Sequence, residues 1–246
     1  MNNKPLIIAN WKCNPTTSKE AEHLFVAIKK EIRNIKDAEV VICPPFVYLD
    51  LIKDDFTKGG QNCYCENRGA YTGEISPLML KNLACQYVII GHSERRKYFQ
   101  ETDEIINRKV KTALKTRLRP VLCVGERVGD EMGLVVREQI EKDLAGIAAA
   151  RVREVIVAYE PVWAIGTGLP CSSDEAMRAA LFIRKTLTKL YDRPIAEKVK
   201  ILYGGSVTSQ NAVDYIKGAM MNGLLVGQAS LNATEFVKIV LKINEL

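Results

Sequence analysis

Eight short β-branched runs recur along the chain, and their number constrains the fold more than any other feature. They read PLIIAN, AEVVICPP, KGGQNCY, YVIIG, RPVLCVG, EVIVAYEP, KVKILYGG and NGLLVGQA. Most are near-continuous apolar stretches rather than clean alternations, the pattern of strands in a parallel sheet covered outside by helices. Between them lie stretches that read as helices: Ser18 to Arg33, Asp103 to Thr116, Val135 to Ala149, Asp174 to Leu190 and Thr234 to Leu241. Eight βα units in 246 residues predict an α/β protein, a single-domain (β/α)8 barrel over residues 1–246, in preference to an open doubly wound sheet. No linker rich in Gly, Pro or Ser divides the chain, and no long charge run interrupts it.

Composition narrows the partners. Apolar content of 47% and charged content of 26% are those of an ordinary soluble globular protein. The formal charge of +6 suits anionic small molecules and equally a solvated basic surface. There is no nucleic-acid module and no block of Lys and Arg interleaved with aromatics, so no nucleic-acid partner is expected. No stretch approaches a membrane span, and Leu6 to Ala9 is too short for a leader's apolar region, so no membrane partner is expected. Seven cysteines form an odd set, and Cys43, Cys85 and Cys123 sit in or beside apolar segments. That usage predicts reduced thiols and a cytoplasmic address. Cys63 and Cys65 make a lone C-x-C, and with two histidines in the chain a zinc site lacks ligands, so no metal is expected.

Active sites of such barrels gather where strands end and βα loops begin. The strand ends carry Asn10 with Lys12, Asn62, His92, Glu126, Glu160, Ser206, and Gly227 with Gln228. Strand ends also face solvent and are polar for that reason alone, so position does not by itself mark chemistry; the residue types must do that. Glu160 precedes Pro161, which favours an extended backbone and a defined direction for the carboxylate. The following PVWAIGTG is apolar in its middle and glycine-punctuated at its end, a loop able to fold over a ligand and raise the basicity of a carboxylate beneath it. Lys12 reads either as a clamp for an anion or as an amine nucleophile. Asn10 reads as a donor to a substrate oxygen or as a turn cap. YGGSV places Ser206 behind two glycines, and Gly227 occupies the equivalent place in the eighth unit. The loops after strands seven and eight are a frequent phosphate site in this fold, so the pair favours a phosphorylated small substrate. No dinucleotide fingerprint or P-loop occurs, and no cofactor is expected.

The ordered set NWK at Asn10 to Lys12, QNCY at Gln61 to Tyr64, GAYTGE at Gly69 to Glu74, GHSERR at Gly91 to Arg96, AYEPVWAIGTG at Ala158 to Gly168 and YGGSV at Tyr203 to Val207 resembles the triosephosphate isomerase family over essentially the whole chain. The resemblance implies a TIM barrel that interconverts dihydroxyacetone phosphate and D-glyceraldehyde 3-phosphate in glycolysis and gluconeogenesis. It implies Glu160 as the base, His92 as the electrophile, Lys12 and Asn10 as substrate anchors, and Glu94 as a supporting acid. The phosphate would rest on amides of Gly166, Ser206, Gly227 and Gln228, under a lid from Pro161 to about Cys171. It also implies a homodimer through the loop around residues 62–77, with Thr72 near the opposite site and Cys13 near the receiving surface. Two positions depart from the family pattern: Gln228 stands where a second glycine is common, and Leu169-Pro170-Cys171 replaces a lid hinge that often carries a lysine. Rival readings are another phosphate-binding barrel, such as a sugar-phosphate epimerase or a Lys12 aldolase, and a barrel retained for binding alone. His92, at the start of a short helix, is expected to stay neutral because backbone N–H groups there disfavour an imidazolium. His23, inside the first helix, reads as surface.

Overall fold

The structure is a computed structural model that describes residues 4–53, 56–165 and 170–246. Strands β1 (Leu6–Asn10), β2 (Glu39–Cys43), β3 (Thr57–Gly60), β4 (Tyr87–Ile90), β5 (Arg119–Val124), β6 (Ile156–Tyr159), β7 (Lys200–Tyr203) and β8 (Gly223–Val226) pair in chain order. Every pairing is parallel, and β8 returns to β1 with Leu6 opposite Gly223, closing the ring.

The unbroken apolar runs have a direct cause: the two faces of each strand are buried in different cores. Leu6 and Ile8 of β1 join a cluster made only of strand residues, including Val41, Tyr87, Ile89, Val121, Ile156 and Leu202, which fills the barrel interior. Ile7 and Ala9 face the larger outer core under the helices. A one-residue slip would exchange these sets, so the period-two alternation fixes the register although both faces are apolar.

The helices are α1 (Ser18–Ile32), α2 (Pro77–Asn82), α3 (Ser93–Tyr98), α4 (Asp103–Lys115), α5 (Met132–Asp143), α6 (Ala149–Val152), α7 (Ser173–Leu190), α8 (Arg193–Ala196), α9 (Ala212–Lys217) and α10 (Ala233–Asn244). Helix α1 buries Ala21, Phe25, Ile28 and Ile32 along one stripe and starts on a capping box between Thr17 and Glu20, which satisfies its first free N–H groups. Ser172 and Glu175 do the same for α7. The helix expected over 135–149 is two pieces. Helix α5 stops at Asp143, Gly146 adopts a left-handed φ of +70°, and α6 starts at Ala149; the glycine takes a conformation that a helix cannot continue through. The third strand is shorter than KGGQNCY suggested and ends at Gly60. Among the described residues no helix is long and apolar enough to cross a membrane.

Candidate active site

The C-terminal ends of the strands gather the chemistry. Asn10 closes β1, and Lys12, two residues on, holds a left-handed φ of +54°, unfavourable for a side chain with a Cβ. Two hydrogen bonds hold that backbone: Lys12 N–H donates to Asn10 Oδ1 at 3.1 Å, and Gln61 Nε2 donates to the Lys12 carbonyl at 2.8 Å. Lys12 Nζ ends 2.6 Å from Glu94 Oε1. Strain kept at one residue by surrounding bonds is characteristic of a functional position.

Past β4, Gly91 turns the chain with φ +73° and His92 caps α3. Its Nδ1 accepts the Glu94 backbone N–H at 3.2 Å. An accepting Nδ1 carries no proton, so Nε2 bears the ring's proton and the imidazole is neutral in this arrangement. Glu94 Oε2 lies 3.6 Å from the same Nδ1. One carboxylate thus stands between the lysine and the histidine.

Glu160 follows β6 and is almost fully buried, 2% exposed. Its Oε2 accepts the Ser93 N–H at 3.0 Å. Its Oε1 lies 3.1 Å from His92 Nε2 but off the hydrogen-bond line, and so has no hydrogen-bond partner. One oxygen of this buried carboxylate is thus held by the backbone and the other is left without a hydrogen-bond partner. Close packing fixes this side chain. A Cβ at Gly204 would come within 2.9 Å of Glu160 Cγ, and one at Gly125 within 1.8 Å of the Glu160 carbonyl oxygen. Neither position has room for a larger residue.

The glycine loops complete the site. Ser206 Oγ donates to the Ala164 carbonyl at 2.7 Å, tying the loop after β7 to the segment after Glu160. Gly227 caps a 3₁₀ turn over Gln228–Leu231, and Ser230 Oγ donates to the Gly227 carbonyl at 2.7 Å. Asn10, Lys12, His92, Glu160, Ser206, Gly227 and Gln228 all line one cavity of about 820 Å³. A second cavity of about 790 Å³ shares Glu160 with the first and is lined by Arg96, Glu101 and Asp103 among others. Only the first brings lysine, imidazole, carboxylate and glycine loops together. Gly166 lies outside the described residues.

Two strand-end candidates do not face that cavity. Asn62 Oδ1 accepts from Lys109 Nζ at 2.8 Å in a buried network. Glu126 Oε1 accepts from Tyr159 Oη at 3.0 Å and Trp163 Nε1 at 2.8 Å, and its carbonyl accepts the Val162 N–H at 3.0 Å. Glu126 is therefore the footing of the loop after Glu160. Arg96, unassigned from the sequence, clamps the loop behind His92: its Nε donates to the Gly91 carbonyl, and its two Nη groups reach Asp103 at 2.5 Å and Asp143 at 2.7 Å. Just ahead of α7, Cys171 N–H donates to Tyr203 Oη, and Tyr215 Oη donates to the Cys171 carbonyl at 2.6 Å. The Tyr203 and Tyr215 rings stack at 3.7 Å. The sequence held no local signal for Tyr215, because its partner lies 44 residues away. Among the described residues no group of three or more His, Cys, Asp or Glu is arranged to hold a metal.

Fold and geometry together mark a class: a (β/α)8 barrel with a carboxylate–imidazole pair beside glycine loops at its C-terminal mouth. A family model described as triosephosphate isomerase matches residues 5–243. Proteins named triosephosphate isomerase from Dictyoglomus turgidum and Aquifex aeolicus are each 44% identical to the chain, over 96% of it and 98% of theirs. The chain belongs to the triosephosphate isomerase family.

Proposed function

We propose that Glu160 and His92, with Lys12 and Asn10, carry the family's reaction in this chain. The chain interconverts dihydroxyacetone phosphate and D-glyceraldehyde 3-phosphate. Glu160 takes a proton from the carbon beside the substrate carbonyl, and the electron pair moves to the carbonyl oxygen. His92 donates the Nε2 proton to that oxygen, giving an enediol, and recovers a proton from the neighbouring hydroxyl. Glu160 then returns its proton to the adjacent carbon, so the enzyme ends as it began. The observation that carries this reading is the buried Glu160 carboxylate with one free oxygen, 3.1 Å from His92 Nε2.

Lys12, engaged with Glu94 at 2.6 Å, balances the anionic substrate as an ammonium. An ammonium held in an ion pair has no lone pair for attack, which favours non-covalent chemistry over an aldolase-like Schiff base. Asn10 holds the Lys12 turn and faces the substrate cavity. The phosphate rests on amides of Gly166, Ser206, Gly227 and Gln228, and the lid from Pro161 to Cys171 excludes water so that the enediolate does not expel phosphate. The whole chain, residues 1–246, works as one catalytic domain.

The homodimer reading is supported by the arm around residues 62–77. It closes on itself through the Tyr64 N–H to the Ile75 carbonyl and a Tyr64–Tyr71 ring contact at 4.6 Å, yet residues 67–74 are all exposed. Exposed Cys13 lies on the receiving surface. A cytoplasmic address is supported by seven free cysteines, as expected of a reducing compartment.

The test is a coupled assay with either triose phosphate. Wild-type protein turns over both. Glu160→Gln retains its fold and loses about 10²–10⁴-fold in kcat with little change in KM, the share expected of a positioned base. A folded Glu160→Gln protein with undiminished kcat would overturn the assignment.

A further inference from the structure

The opposite, N-terminal end of the barrel has a cavity of about 860 Å³, within the roughly 300–1,000 Å³ of small-ligand sites. Strand starts in this fold ordinarily serve stability, and their charges are then expected to be paired. These are not. Lys4 precedes β1, Arg119 opens β5, Lys200 opens β7, and Arg153 and Lys198 lie just ahead of β6 and β7, all lining this cavity. None of the five has an ion-pair partner among the described residues.

The cavity's acidic residues do little to offset them. Glu154 is taken by Arg151 at 2.8 Å and Glu197 by Arg193 at 2.7 Å. That leaves Glu39, which accepts the Tyr87 hydroxyl proton, while Arg119 donates to the same hydroxyl oxygen. Lys200 Nζ spends one donor on the Lys4 carbonyl at 2.7 Å. Its ammonium is disfavoured first by burial and also by the nearby Arg119 charge, with Glu39 acting the other way. Five cations around one carboxylate that has no ion-pair partner repel one another in a partly exposed recess.

We infer that this cavity is a second anion site, separate from the catalytic mouth, for a small molecule carrying at least two linked phosphate groups. A single phosphate group brings roughly −1.5 to −2 charge and would offset at most half of the surplus. A di- or triphosphate matches it, and the Arg119 and Arg153 guanidiniums present the planar donor forks that phosphate oxygens accept. The charges gather around one cavity of bounded volume. That argues for a compact ligand rather than an extended polyanion, which would need a stripe of charge along the surface.

The test titrates inorganic tripolyphosphate into the whole protein by calorimetry, with the catalytic cavity filled by glycerol 3-phosphate, which lacks the reactive carbonyl. The double variant Arg153→Gln/Lys198→Gln is compared; both residues are exposed and outside the catalytic machinery. One tripolyphosphate should bind per chain in the presence of glycerol 3-phosphate, at least tenfold more weakly in the double variant, with turnover unchanged. Complete displacement by glycerol 3-phosphate would place the anion in the catalytic cavity and overturn the inference. Equal binding by wild type and double variant, or orthophosphate binding as tightly as tripolyphosphate, would also overturn it.

Discussion

At the scale of single residues, the site is set by which atoms are already engaged. Asn10, Lys12, His92 and Glu160 are named by type and strand position in the sequence, and all four line the same cavity. The sequence does not show their hydrogen bonds. Those follow from Gly91 turning the chain into α3, which offers Ser93 N–H to Glu160 and Glu94 N–H to His92. A neutral ring with its proton on Nε2 is the consequence. Nitrogen NMR of the folded protein is expected to show one protonated and one bare nitrogen for His92 across neutral pH; a ring protonated on both nitrogens at pH 7 contradicts this arrangement. Asn62 and Glu126 show why strand-end position was not enough. Each is polar at the right place, and each is consumed by a structural partner, Lys109 or Trp163, that is remote in sequence.

At the scale of elements, all eight strands and the long helices were legible, and the short helices α2, α6, α8 and α9 were not. Helix α1 was readable because its buried stripe spans several turns, whereas α2, α6, α8 and α9 run four to six residues, too few to show a period. The loop joining β4 to α3 depends on Arg96, which joins the Gly91 carbonyl to Asp103 and Asp143. Asp143 is fully buried. Burial pushes its carboxyl up to about 8 against the pull of Arg96. The folded chain therefore keeps a proton there that the unfolded chain has released, and this group's contribution to stability falls as pH rises from the ordinary carboxylate range toward 8. Arg96→Gln removes the partner of a buried acid. We expect a loss of about 3–5 kcal/mol in urea unfolding at pH 8.5, less at pH 5.5 where Asp143 is protonated, with part recovered by adding Asp143→Asn. An unchanged midpoint at both pH values would show that the clamp is not structural.

For the whole molecule, burial also governs the thiols. Burial raises Cys43 and Cys123, and pushes Cys63 to about 12, Cys85 to about 11 and Cys171 to about 12. Unfolded thiols titrate near 9, so the folded state holds protons that the unfolded chain gives up as pH climbs past that value. The stabilising share of each is complete below 9 and is lost toward its folded value, about 1.4 kcal/mol per thiol by pH 10. The urea midpoint should drop between pH 8 and pH 10, and Cys85→Ala should flatten that drop; equal slopes would count against the argument. Serial dilution followed by light scattering tests the proposed dimer: the expected mass is twice that of the chain, and a monomer at micromolar concentration rules out the arm as a stable contact.

The closed ring has one more consequence. A sheet whose last strand hydrogen-bonds to its first offers no free edge, so no incoming strand can extend it and no row of bare backbone donors is left to template misassembly. Self-association of the folded chain must therefore run through side chains and loops, and the arm between β3 and α2 can evolve without opening a path to fibrils.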